Sequence, residues 1–224
     1  MRLGSRGTPE KTRTAILDAA MHEFAREGVA GARTDEIARA AGVNKALLYY
    51  YFQDKETLYG AVLDRVFSGL TQRVLQVLDR DLPPGEKILL YAATHFDYIA
   101  SLPHTLPRVV QYETMRSGRH ASPHMKRIVE RYFKPLFARL AEVMQEGIAS
   151  GEFRPFNIRH FVLSMIALNV FYFNTAGIFR LFGVEDPFSP EQIAERRAAA
   201  LDFISAALFR CRPGDEPLQP RGKA

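Results

Sequence analysis

The chain has 224 residues, 47% of them hydrophobic and 25% charged, with a formal net charge of +5. This is the make-up of a globular protein, long enough for one small domain and one of middling size. Its single cysteine, Cys211, excludes an intrachain disulfide and a cysteine-cluster zinc site, which fits a reducing cytoplasm.

The first residues, MRLGSRGTPEKTR, are polar and basic with no apolar run behind them, so no signal peptide is expected. Residues 1–55 carry nine Lys/Arg against seven Asp/Glu, a balance that does not by itself point to nucleic acid. Arg2, Arg6, Lys11 and Arg13 against Glu10 form a basic arm, either a solvated terminus or a reach toward phosphates or a minor groove. Thr8 and Pro9 open the first helix, whose inner face is Ile16, Leu17, Ala20 and Phe24.

The most informative stretch is TDEIARAAGVNKALLYYYF, Thr34 to Phe52. A helix capped by Thr34 carries Ile37, Ala38 and Ala41 on one face and stops at Gly42, which can take the positive φ of a sharp turn. Asn44 caps a second helix from Lys45 to about Phe52. Two short helices joined by a glycine turn have the helix-turn-helix format, with small Ala38 permitting their close crossing. At about 100° per residue, Leu48 and Phe52 share one face of the second helix. Ala46 and Tyr50 point the opposite way, flanked by Lys45, Leu47 and Tyr49. Apart from Lys45, such an exposed face lacks the Glu, Lys and Gln that normally clothe a solvated helix, yet it suits a DNA groove. Core packing is the bland alternative for YYYF, but three consecutive tyrosines cannot all face one core.

Together with FAREG (Phe24 to Gly28) and DKETLY (Asp54 to Tyr59), this stretch resembles the DNA-binding signature of the tetracycline-repressor (TetR) family of bacterial transcription regulators. The resemblance implies phosphate contacts by Thr34, Tyr49, Tyr51 and Lys55, and groove reading by Lys45, Ala46, Leu47 and Tyr50. Three positions depart from the common pattern: Ala46 where Gly is frequent, Leu47 where a small or hydroxyl residue is frequent, and Tyr51 where His is frequent. With no Arg, Gln or Asn on the exposed face, specificity is expected to lean on thymine contacts by Leu47 and on DNA shape.

The remaining pattern is helical throughout. Asp54 caps a long helix with Leu58, Val62, Phe67, Leu70, Val74 and Leu78 at helical spacing, ended by Leu82, Pro83 and Pro84. Further helices are expected over 86–101, 107–116, 123–150, 157–182 and 190–210, with a kink or break just before Pro135. The segment Phe161 to Phe182 is apolar nearly all round; Asn169, Asn174 and Arg180 argue against a membrane span and for a helix buried between its own domain and a partner. Ser189 and Gln192 form a capping box for a last helix with the stripe Ile193, Ala200, Leu201, Ile204 and Leu208.

The resemblance implies that the last two helices form a four-helix interface in a homodimer. DNA reading by one short helix per subunit also calls for a dimer on a pseudo-palindromic operator. In the middle of the chain, aromatic and polar residues interleave as YAATHFDYIAS and VVQYETMRSG. Similar proteins bind small, mostly apolar molecules here, which makes His95, Tyr98, Tyr112, Glu113 and Arg116, with Met165, Asn169, Tyr172 and Phe173, the candidate ligand-binding residues. Core packing is the competing account of each taken singly.

No phosphate loop, GxSxG, HExxH or dinucleotide fingerprint occurs, and Ser122-Pro123 separates His120 from His124, so neither an enzyme nor a cofactor or metal site is expected. The expectation is an all-α chain: a three-helix helix-turn-helix DNA-binding domain over 1–54, a helical ligand-binding and dimerisation domain over 55–210, and a disordered tail over 211–224. Its expected partners are a double-stranded DNA operator, a small-molecule effector and a second copy of itself, in the cytoplasm and away from membranes. A constitutive architectural DNA-binding protein, which would lack an effector site, is the alternative.

Overall fold

The computed structural model of the chain describes residues 8–102, 108–109, 113 and 122–209. Among these the only β-type pairing is an isolated bridge between Phe153 and Phe209. The chain divides into two compact units, one of residues 1–72 and 98–135 and one of 73–97 and 136–224. Of the basic arm, Arg2 and Arg6 lie outside the described residues, as do Tyr112, Arg116, His120 and the tail beyond Phe209, whereas Lys11 and Arg13 belong to the first helix rather than to an arm before it.

In the first unit, α1 (Pro9–Gly31) begins where Thr8 Oγ1 accepts a hydrogen bond from the Lys11 amide at 3.4 Å. Ile16, Leu17, Ala20 and Phe24 are buried as their spacing predicts. Gly28 interrupts α1 with φ +68°, and one more turn follows it. Helix α2 (Thr34–Ala40) buries Ile37 and Ala38. The Thr34 cap is corrected: Arg33 holds the N-cap position without a side-chain hydrogen bond, and Thr34 already lies in the first turn. Its hydroxyl is instead engaged by a side chain 15 residues away.

Gly42, at φ +67°, makes the turn into α3 (Lys45–Phe52). Asn44 Oδ1 accepts from the Leu47 amide at 2.8 Å, satisfying one of the helix's free donors. Helix α4 (Lys55–Leu78) starts where Asp54 Oδ1 accepts from the Thr57 amide at 2.6 Å. Hydrogen bonds from the Thr57 amide and then its side chain hold the Asp54 carboxyl below the usual carboxylate range. The predicted stripe of α4, Leu58, Val62, Phe67, Leu70, Val74 and Leu78, is buried along its whole length.

Helix α5 spans Pro84–Ala100, and α6 (Pro123–Ile128) is capped by Ser122, whose Oγ accepts from the Met125 amide at 3.0 Å. The expected break before Pro135 takes the form of a π-helical turn over Val129–Phe133, after which α7 runs Lys134–Ala149. Proline cannot donate to the carbonyl four residues back and its ring crowds it; one extra residue in the turn relieves both problems.

In the second unit, α8 (Ile158–Leu181) is capped by Asn157, and α9 (Pro190–Leu208) by Ser189, whose Oγ accepts from the Gln192 amide at 3.3 Å. The inner stripe of α8 is Val162, Met165, Asn169, Tyr172, Phe173 and Ala176. By length and composition α8 is apolar enough to cross a membrane. The expectation that both of its sides are buried is met on one side only within the single chain: Leu163, Phe171, Ile178 and Leu181 are exposed, as are Phe182 and, on α9, Phe203. On α9, Ala200, Ile204 and Leu208 are buried, while Ile193 and Leu201 are half-buried.

Candidate functional site

The exposed face of α3 is built by its own periodicity. Leu48 is 0% and Phe52 2% exposed, so these two hold the helix to the core of the first unit. Tyr50, two positions from Leu48, is 80% exposed, with Leu47 and Tyr49 partly exposed beside it. Ala46 is exposed and Tyr51 half-buried, its ring meeting that of Tyr50 edge-on with centroids 5.5 Å apart. An eight-residue helix thus presents one ammonium, two phenols and two apolar side chains next to a tight turn.

The hydrogen bonds around this face set which groups are already occupied. Thr34 Oγ1 and Tyr49 Oη lie 3.2 Å apart. Lys45 Nζ pairs with Asp35 at 2.9 Å, and that carboxylate raises the lysine's pKa through a side-chain hydrogen bond and charge attraction. Lys55 Nζ donates to the carbonyl oxygens of Ala30 at 3.0 Å and Ala32 at 3.2 Å, closing the end of α1. Sequence reading missed Asp35 and these two carbonyls, because nothing in a helical period announces a partner 10 or 25 residues away.

The candidate ligand-binding residues fall in two groups. In the first unit, Tyr98 Oη donates to the Val66 carbonyl at 2.8 Å, and Glu113 is wholly buried. Tyr59 Oη donates to Glu113 Oε1 at 2.9 Å and Ser122 Oγ to Oε2 at 2.6 Å, two partners the pattern along the chain does not reveal. Tyr59 also meets the Phe24 ring edge-on at 5.1 Å, so the same side chain serves the core beneath the helix-turn-helix.

In the second unit, His95, Met165, Asn169, Tyr172 and Phe173 are all buried. Asn169 Nδ2 donates to the Ala92 carbonyl at 2.9 Å and meets His95 Nδ1 at 3.1 Å. The imidazole is stacked on Tyr91, with centroids 6.0 Å apart and planes at 8°. Burial pushes the His95 pKa down to about 4, so the ring is neutral near pH 7. With Nδ1 accepting, the ring's hydrogen belongs on Nε2. Burial raises the Tyr91 phenol well above its usual range. Phe173 packs against Phe96 at 5.3 Å, while Tyr172 Oη donates to the Pro187 carbonyl at 2.5 Å and so ties down the loop before α9. Among the described residues no cluster of three or more His, Cys, Asp or Glu could hold a metal ion.

Comparison with known proteins adds independent evidence. The family description "Bacterial regulatory proteins, tetR family" matches residues 16–62, and "Tetracyclin repressor-like, C-terminal domain" matches residues 84–204. The chain is 27% identical over 204 residues to the HTH-type transcriptional repressor NicS of Pseudomonas putida, covering 90% of this chain and 92% of that protein. It is 36% identical over 132 residues to the HTH-type transcriptional repressor SCO4008 of Streptomyces coelicolor, a match spanning 58% of this chain and 64% of that one. The solved structure of the ketosteroid transcriptional regulator KstR2 of Mycobacterium tuberculosis shares the fold, with a TM-score of 0.72 at 20% identity over 93% of this chain and 100% of that one.

Proposed function

The chain belongs to the TetR family of bacterial regulatory proteins, and from that footing we propose that it is a homodimeric repressor that leaves a pseudo-palindromic operator when a small, largely apolar ligand binds. The observation that carries the DNA reading is the opposition of Leu48 and Tyr50: one is sealed in the core, the other is the most exposed side chain of α3's aromatic run. A phenol, a lysine and small or apolar side chains on a narrow helix can enter a major groove, donate to phosphates and touch thymine methyls.

In this reading Thr34, Tyr49, Tyr51 and Lys55 meet the backbone, and Lys45, Ala46, Leu47 and Tyr50 meet the bases. The repressor reading is supported by the names of NicS and SCO4008, both transcriptional repressors. A dimer is supported by the exposed row Leu163, Phe171, Ile178 and Leu181 on α8, with Phe182 and Phe203 beside it, an amount of apolar surface that a lone soluble chain rarely leaves open. Covering it with the same surface of a second copy would place two α3 helices under one two-fold axis. The ligand reading is supported by the His95 and Asn169 pair, a small polar island among Met165, Phe96 and Phe173. A ligand would act by preferring the dimer geometry that does not fit the operator.

Selection of random duplexes by the purified full chain at low and physiological salt tests the proposal. The expected product is one motif with two symmetric halves about one helical turn, or a multiple of it, apart. Duplexes retained without any common motif, or no retention even at low salt, would overturn it.

A further inference from the structure

The structure carries an acceptor in the core of the second unit that its described residues leave unused. Asn169 is 1% exposed, and its Oδ1 accepts no hydrogen bond among the described residues. The orientation of the amide is dictated by its surroundings: Nδ2 faces both the Ala92 carbonyl and His95 Nδ1, and exchanging the two ends would set Oδ1 against the Ala92 oxygen, acceptor against acceptor. A buried amide oxygen left unpaired is costly, and a leucine or methionine at this place on the α8 stripe would avoid that cost. Asn169 is therefore suited to a group that arrives from outside the described structure and brings a hydrogen with it.

The electrical character of the surroundings narrows that group. The hydrogen-bond and ring partners of Asn169 and His95 are the Ala92 carbonyl, each other and the Tyr91 ring, none of them charged. Met165, Phe96 and Phe173 supply further apolar surface. Among the described partners of Asn169 and His95 no cation would offset the desolvation of a carboxylate, Arg196 meeting this helix at the Leu168 carbonyl and the Tyr172 ring instead, and an ammonium would lack a carboxylate. Resting on the proposal that this cluster receives the effector, we infer that its ligand is an uncharged, otherwise apolar molecule bearing a hydroxyl, and that Asn169 Oδ1 accepts the hydroxyl hydrogen.

The test uses two matched sets of probes on the full chain: 1-decanol, its methyl ether and decanoate, and 4-hexylphenol, its methyl ether and 4-hexylbenzoate. Calorimetric titration is expected to show the hydroxyl member of at least one set binding about tenfold or more tighter than its ether and its carboxylate. Asn169→Leu and the milder Asn169→Ser are expected to bind alcohol and ether alike. An ether or carboxylate that binds as tightly as the alcohol overturns the inference, as does a hydroxyl preference retained in both variants or no binding by either set. Alcohol binding that leaves DNA retention unchanged would uphold this assignment of the site and refute the effector role proposed for it.

Discussion

The hydroxyl groups of Thr34 and Tyr49 lie 3.2 Å apart, joining the first turn of α2 to the exposed flank of α3. A hydrogen bond between two surface hydroxyls contributes only about 1 kcal/mol to stability, so its value lies in holding both groups where a phosphate would meet them. Tyr49→Phe and Thr34→Val are each expected to weaken duplex binding several-fold. The double variant should lose less than the product of the two, since either change already releases the pair. Fluorescence anisotropy over the double-mutant cycle checks this, and strictly multiplicative losses would make the two contacts independent.

Lys55 is the case in which the structure enlarges the role expected from the sequence. Its ammonium closes the end of α1 through the carbonyls of Ala30 and Ala32. Lys55→Met should lower stability by about 1 kcal/mol and weaken binding to all duplexes alike. If the same ammonium also meets a phosphate, the slope of log affinity against log salt should shrink by about 1. An unchanged slope would assign Lys55 to the protein's own backbone alone.

Leu48 and Tyr50 separate stability from recognition. Leu48→Ala removes a fully buried side chain and is expected to cost about 2–5 kcal/mol in denaturant unfolding. Tyr50→Ala should leave stability within about 0.5 kcal/mol while reducing operator affinity at least tenfold. Loss of folding in the Tyr50 variant with normal binding by the Leu48 variant would reverse the orientation of α3.

His95 makes stability depend on pH. The folded chain holds the imidazole neutral down to about pH 4, whereas an unfolded one binds a proton near 6.5. Between those values the unfolded state carries the extra proton, so the contribution of this burial is complete above about 6.5 and is lost as pH falls toward 4. Its full size is on the order of 3 kcal/mol. Unfolding free energies measured from pH 7 to pH 4 should fall steeply in this window, and His95→Gln should flatten that share of the slope. Equal slopes in both proteins would place the titration elsewhere.

The exposed aromatic residues of α8 and α9 offer the clearest test of assembly. Phe171→Glu with Phe203→Glu adds charge to side chains that are 64% and 63% exposed in the single chain, so the fold should survive. Sedimentation is expected to report a monomer, and operator affinity should fall by two orders of magnitude or so as the second half-site becomes a separate binding event. A dimer that persists in this variant would move the interface to another surface.

Much of the first unit was legible because its determinants are local. The caps at Asn44 and Asp54, the turn at Gly42 and the break before Pro135 each depend on a residue and its neighbours within about four positions, and such neighbours are fixed by helical geometry. The Thr34 cap failed for the same reason: its hydroxyl had a more distant partner in Tyr49, and no local rule weighs that competition. The candidate ligand residues were legible only as a composition, aromatic and polar side chains interleaved, and the described ones belong to both compact units, Tyr98 and Glu113 to the first and the rest to the second.

The amino-acid order by itself determined that the chain is helical, that α3 turns Leu48 inward and Tyr50 outward, and that α8 carries more apolar surface than one packing partner can cover. These are properties of period and neighbourhood. Only the tertiary structure decided that Lys45 pairs with Asp35, that Glu113 receives Tyr59 and Ser122, and that Asn169 reaches across 74 residues to His95 while its side-chain oxygen finds no donor among the described residues. Those pairings arise where separately formed helices are pressed together, and the exclusion of water that makes them matter does not exist until the helices pack.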